Sequence, residues 1–146
     1  MKRRTAVVLG TTMLCTLLMS SVGYGFNQAD VDSLTATNLC ARCDLSGADL
    51  SGIQVIGRDL DASDLSGANL SGANLSNTDI DGVNLSGANL SGANLSGADL
   101  SSTNLSGAYL IGANLSEATL DGAILDGAMW TDGETCKSGS YAQCNE

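Results

Sequence analysis

Residues 87–101 read GANLSGANLSGADLS, a five-residue phrase repeated almost without change. Its register runs far beyond that window. Stepping by five from Leu45 to Leu125 lands on 17 positions, and every one is Leu, Ile or Val. Around those centres, Ala stands two residues before in 10 repeats, Asp or Asn one before in 13, and Gly two after in 13. Five residues of α-helix turn through about 500°, so the leucines would spiral round every face and leave no apolar stripe. Read as a short strand, the phrase puts Leu and the preceding Ala on one side and the Asp or Asn between them on the other. Gly then lets the chain turn without a Cβ clash. Short strands joined by regular corners wind into coils, each burying its apolar side against its neighbours. The pattern predicts an all-β solenoid.

Over residues 44–130 the phrase resembles that of the pentapeptide-repeat family, A(D/N)LXX. The resemblance implies a right-handed quadrilateral parallel β-helix with four pentapeptides per coil, about four coils, and a rod about 20 Å long at β-sheet spacing. The chain then divides into residues 1–25 as an export signal, 26–43 as an N-terminal cap, 44–130 as the β-helix and 131–146 as a C-terminal cap. High charge with few aromatics would otherwise suggest disorder, and Gly with Ser a flexible linker, but neither keeps an unbroken aliphatic register. Seven Asn-Leu-Ser triplets, the first at Asn69, match the glycosylation pattern as a by-product of the repeat.

At the start, Lys2, Arg3 and Arg4 precede a mostly apolar stretch from Ala6 to Met19, and Gly23-Tyr24-Gly25 supplies small residues ahead of Phe26. This is the layout of a cleavable secretory signal. Gly10, Thr11, Thr12 and Thr16 interrupt the apolar run, which falls short of the ~20 residues of a spanning helix. Thr12-Met13-Leu14 lacks the small residue of a lipidation site, so Cys15 belongs with the discarded segment. The expected protein is exported, periplasmic or extracellular, without membrane insertion after cleavage. Cleavage leaves three cations, Arg42, Arg58 and Lys137, against 16 carboxylates, a net charge of −13 in place of −10. Such a surface repels nucleic acid and anionic lipid and attracts cations and basic protein surfaces.

Four repeats per coil stack residues 20 apart. The outward position before each centre then forms four columns. One is Asp44, Asp64, Asn84, Asn104 and Ile124; the next Asp49, Asn69, Asn89, Tyr109 and Met129; the third Gln54, Asn74, Asn94 and Asn114. The fourth reads Asp59, Asp79, Asp99 and Thr119, and Asp61, Asp81 and Asp121 follow the centres on the same side. Its six carboxylates are the candidate partner-binding face. The plainest reading is a solvated surface, and the sharper ones are a dock for a basic protein or a weak Ca²⁺ surface, weak because no loop encloses the ion. Arg58 falls in a nominally inward slot. Burying an unpaired guanidinium is very costly, so a bulge or outward turn is expected there.

A solenoid leaves apolar ends and unpaired edges unless something covers them. Residues 27–37 have helix-compatible composition, with Val31 and Leu34 three apart and Asn27 or Asp30 as the cap. Cys40-Ala41-Arg42-Cys43 admits a structural disulfide, a free or metal-binding pair, or a thiol-exchange centre. No thioredoxin-like context accompanies it, and the chain has no histidine to complete a zinc site. At the far end Trp130 interrupts the phrase and is expected to plug the last coil. Because the implied rod holds its ends apart, the expected structural disulfides are Cys40 with Cys43 and Cys136 with Cys144.

Enzyme chemistry finds no foothold: there is no histidine and no phosphate-cradling motif, and an interior of Leu and Ala leaves no pocket. No cofactor or metal is implied. The resemblance brings one further expectation, since some members of the family are thought to mimic DNA and bind DNA gyrase, a topoisomerase. An exported protein would not meet that enzyme. The expected function is an exported, non-enzymatic scaffold or protein-interaction module, monomeric or an end-to-end dimer, with a partner bearing a basic surface. Two alternatives stand beside it. One is a thiol-disulfide protein acting through Cys40 and Cys43; the other is a DNA-mimicking topoisomerase binder, should the signal be retained in the cytosol.

Overall fold

A computed structural model describes residues 26–37, 40–60, 62–140 and 143–144. Along the repeat, parallel bridges join residues 20 apart in four ladders. Face one runs Asp44, Asp64, Asn84, Asn104, Ile124; face two Asp49, Asn69, Asn89, Tyr109, Met129; face three Gln54, Asn74, Asn94, Asn114; and face four Asp59, Asp79, Asp99, Thr119. These are the columns expected from the five-residue period. Each rung is bonded twice: the Leu95 N–H donates to the Asn114 carbonyl at 2.8 Å, and the Asn114 N–H donates to the Ala93 carbonyl at 2.9 Å. Four such ladders around one closed path make a four-sided β-helix. Its axis is filled by the repeat centres, with Leu65, Leu85, Leu105 and Leu125 of face one and Leu60, Ile80 and Leu100 of face four all buried.

The corners differ in a way the period alone does not announce. Among the described residues, five other than glycine hold a left-handed backbone: Arg42, Ala62, Asn77, Ser102 and Glu117. Asn77 and Glu117 lie in the corner leading into face four, and Arg42, Ala62 and Ser102 in the corner that leads from face four to face one. The other two corners use only glycine, from Gly47 to Gly127 and from Gly52 to Gly112. A side chain in this conformation costs about 1–2 kcal/mol. Three of the five are followed by a buried hydroxyl in the slot that Ala otherwise fills, namely Ser63, Thr78 and Thr103. Ser63 donates to the Cys40 carbonyl at 2.7 Å and Thr103 to the Ile80 carbonyl at 2.8 Å, while Thr78 donates to the Val55 carbonyl. Hydroxyls thus stitch one coil to the one below from inside the rod.

Arg58 turns outward and is exposed. At the preceding corner the Ile53 N–H closes the turn onto the Leu50 carbonyl at 3.1 Å, but no equivalent bond joins Arg58 to Val55 among the described residues. Thr78, one coil above Arg58, occupies the inward slot and takes the Val55 carbonyl instead. The Arg58 carbonyl still accepts from the Asp79 N–H at 2.8 Å, so the ladder passes through the irregular corner without losing register.

Helix α1, Gln28–Thr37, lies over the first coil. Asn27 caps it, its Oδ1 accepting the Ala29 N–H at 3.0 Å, while Asp30 caps the coil rather than the helix, its Oδ2 accepting the Asp44 N–H at 2.9 Å. Leu34 seals the joint and is buried. At the other end the Trp130 N–H donates to the Glu134 carbonyl at 2.7 Å, and Met129 pairs antiparallel with Thr135. Trp130 is half-buried against the core. Asp126 then anchors the returning loop by accepting the Gly139 and Ser140 N–H groups at 2.6 and 3.2 Å. Disulfides join Cys40 to Cys43 and Cys136 to Cys144, with Cα atoms 5.5 and 5.0 Å apart. The expected signal at residues 1–25, with Cys15, lies outside the described residues. Among those described, no helix is long and apolar enough to cross a membrane.

Candidate interaction face

Three of the four faces are zipped by their own side chains. On face one, Asn84 Nδ2 donates to Asp64 at 3.1 Å and Asn104 to Asn84 at 3.4 Å. On face two, Asn69 donates to Asp49 at 3.0 Å and Asn89 to Asn69 at 3.3 Å. On face three the chain of amides runs from Asn114 through Asn94 and Asn74 to Gln54, at 3.2–3.3 Å. Within these ladders an asparagine donates down the rod with Nδ2, and its Oδ1 also takes the N–H two residues ahead, as Asn84 does with Ser86 at 3.2 Å. An amide suits this role because it carries donors and an acceptor together.

Face four has no such ladder, for a chemical reason. Ionised carboxylates only accept, so Asp59, Asp79 and Asp99 cannot bond to one another across the rungs. The Asp79 Oδ1 accepts the Asp81 N–H at 3.2 Å. The Asp99 Oδ1 accepts both the hydroxyl and the N–H of Ser101, at 2.5 and 3.0 Å. Those two bonds, the hydroxyl first, hold the Asp99 carboxyl below its usual range against a slight opposing effect of burial. Rungs about 4.8 Å apart place neighbouring charges where they repel by roughly 1 kcal/mol in water before screening by salt.

The structure therefore brings Asp59, Asp79 and Asp99 onto consecutive rungs. Asp81 and Asp121 are exposed in the adjacent column, with Ser101 between them. Asp61 lies outside the described residues. Sequence reasoning missed Glu117, which is exposed at the corner entering face four, with no further coil over it among the described residues. Its signal was present: in the column Gly57, Asn77, Gly97, Glu117 the corner glycine is twice replaced. Among the described residues, no group of three or more acidic or cysteine side chains is placed to hold a metal ion.

The sequence model described as Pentapeptide repeats matches residues 59–97 and 93–128, in eight copies. The chain belongs to the pentapeptide-repeat family. The fold that goes with this membership is the right-handed quadrilateral β-helix, whose members are structural and interaction modules. Among solved pentapeptide-repeat structures, one is HetL, involved in heterocyst differentiation regulation, from the cyanobacterium Nostoc sp. strain PCC 7120. It is 34% identical over 62% of this chain and 52% of its own, with a TM-score of 0.41. This chain thus spans about half the length of HetL. A protein from the cyanobacterium Cyanothece 51142 is 28% identical over 70% of this chain and 98% of its own, with a TM-score of 0.41. Another from Nostoc PCC 7120 is 36% identical over 65% and 76%, with a TM-score of 0.35. Scores this low lend the fold nothing; it rests on the chain's own ladders and on the repeat match. No curated protein matches the chain.

Proposed function

We propose that this pentapeptide-repeat protein is an exported, non-enzymatic scaffold whose fourth face docks a protein partner with a basic surface. In this reading the working unit is a helix of about four coils, with α1 over one end, the disulfide-closed Cys136–Cys144 loop over part of the other, and residues 1–25 removed on export. The observation that carries the docking role is the break in the side-chain ladders. Carboxylates that cannot pair with one another keep acceptor capacity for an arriving ammonium or guanidinium group, and their regular rise offers a row rather than a point charge. A partner with Lys or Arg at a matching rise gains attraction and relieves the repulsion between rungs. The corners support the same face, because among the described residues the repeat retains side chains in left-handed positions only on its two borders. Nucleic acid, carrying the same sign of charge, does not fit it.

The test is crosslinking capture from the native envelope or medium, comparing the wild type with a variant carrying Asp59→Asn, Asp79→Asn and Asp99→Asn. Asparagine extends the amide ladder onto this face, so the fold is kept while the charge is lost. The expected result is loss of a salt-sensitive partner; an unchanged set of partners removes the docking role. N-terminal sequencing of the native protein tests export separately. A chain beginning at or near Phe26 is expected, and a cytosolic chain beginning at Met1 would overturn export and reinstate the topoisomerase alternative.

A further inference from the structure

The ladders of faces three and four stop at Asn114 and Thr119, while faces one and two run on into the C-terminal cap. One coil below, the N–H groups of Leu95, Gly97, Leu100 and Ser102 donate to Asn114, Ser116, Thr119 and Asp121, and the Ala93 and Ala98 carbonyls accept from Asn114 and Thr119. Their counterparts in the last half-coil are the N–H groups of Leu115, Glu117, Leu120 and Gly122 and the carbonyls of Ala113 and Ala118. None of these has a backbone partner among the described residues. The apolar side tells the same story: Leu95 and Leu100 are fully buried, whereas Leu115, Ala118 and Leu120 are only partly covered. An unpaired strand edge beside half-covered leucines is a template for a further strand.

We infer that the edge Ala118–Gly122 is a strand-addition site for an extended, lysine- or arginine-bearing segment of a partner protein. A residue placed opposite Thr119 donates its N–H to the Ala118 carbonyl and accepts from the Leu120 N–H, as Thr119 itself does with Ala98 and Leu100. Its inward neighbour covers Leu120. Its own side chain continues the outward column Asp59, Asp79, Asp99, Thr119. Charge selects the occupant, for the exposed carboxylates of Glu117 and Asp121 flank this edge and Asp99 lies one rung below it. A second copy fits less well. With α1 over the opposite end, only like ends could meet, and each would set Glu117 and Asp121 near their own duplicates. The inference rests on the reading of face four as a dock and names the manner in which the partner engages it.

The test uses the mature chain and three synthetic peptides of about seven residues, long enough to span one face: alternating lysine–valine, the same peptide N-methylated at alternate residues, and alternating glutamate–valine. Fluorescence anisotropy reads binding, and NMR reads amide exchange. The lysine–valine peptide is expected to bind and to protect the Leu120 and Gly122 amides. N-methylation, which keeps the charge and removes backbone donors, should weaken binding at least tenfold, and the glutamate peptide should not bind. Equal binding of the methylated and unmethylated peptides, lost in the Asp59/Asp79/Asp99→Asn variant, overturns strand addition while leaving the acidic dock intact. Protection of Leu120 retained in that variant upholds strand addition while removing the ladder carboxylates from the dock. A dimer with protected Leu120 in the absence of peptide, or no binding of the lysine peptide, overturns the inference.

Discussion

Replacing Thr78 by valine removes one buried hydroxyl and keeps the branched shape, so its effect on stability isolates a single hydrogen bond. The Thr78 hydroxyl donates to the Val55 carbonyl, which no N–H reaches among the described residues because the corner at Arg58 does not close. Thr103 makes the equivalent bond to the Ile80 carbonyl, but that carbonyl also accepts the Val83 N–H at 3.3 Å. Both threonines are buried to the same degree, at 1% and 0% relative exposure, so the apolar gain from the added methyl group cancels between them. Thr103→Val should then cost the net worth of a hydrogen bond, about 0.5–1.5 kcal/mol. Thr78→Val leaves an acceptor without its donor as well and should cost about 1–3 kcal/mol. The expected gap of about 1 kcal/mol corresponds to roughly 0.5 M urea in the unfolding midpoint at an m-value of about 2 kcal/mol/M. Urea melts of the two variants, followed by circular dichroism, measure it, with unchanged slopes as the check that only stability moved. Equal midpoints, or a larger loss at Thr103, would show that the open corner at Arg58 does not leave Val55 dependent on Thr78.

The same geometry fixes three other outcomes. A Cβ added at Gly97 meets Asn77 Oδ1 at 2.6 Å, while one at Gly92 meets nothing within 4 Å, although both residues are left-handed. Gly97→Ala should therefore destabilise by about 1 kcal/mol more than Gly92→Ala, the cost of pushing Asn77 off its rotamer, and an added Asn77→Gly should erase the difference in a double-mutant cycle. Leu95→Ala, inside the rod, should cost about 3–5 kcal/mol and Leu120→Ala, half-covered at the open edge, about half as much; calorimetric melting that finds the two equal would deny that the edge is open. The hydrogen bonds from Ser101 lower the Asp99 pKa, so they add stability above the unfolded carboxylate pKa of about 3.9 and lose it as pH falls through the folded value. Ser101→Ala should accordingly be less stable than wild type at pH 7 and indistinguishable from it near pH 2. A difference independent of pH would assign the loss to something other than the carboxylate.

The sequence alone determined the coil. A period of five that places Leu and Ala on one side and Asp or Asn on the other leaves no helical alternative, and a step of 20 residues was enough to sort the outward positions into the four ladders that the bridges display. It was enough because a solenoid is almost one-dimensional: each coil meets only its neighbours, so register in sequence is register in space. The outward turn of Arg58 was legible for the same reason, as a cation in an apolar column. The hydroxyl at Thr78 that lets the corner stay open was not, because its partner lies 23 residues away in the coil below. The letters gathered the aspartates of the fourth column into one acidic face, but they did not say what distinguishes that face from the other three beyond its charge. Only stacking revealed that asparagines zip three faces while aspartates leave the fourth without a ladder, since the difference lies in a donor that matters only when another side chain stands one rung away. The ends belonged least to the pattern and most to the tertiary structure. Asp30 caps the first coil instead of its own helix, and faces three and four stop short with Leu115 and Leu120 half-covered. A repeat specifies what each residue does between two neighbours, and where one neighbour is missing, only the fold decides what the edge is left to bind.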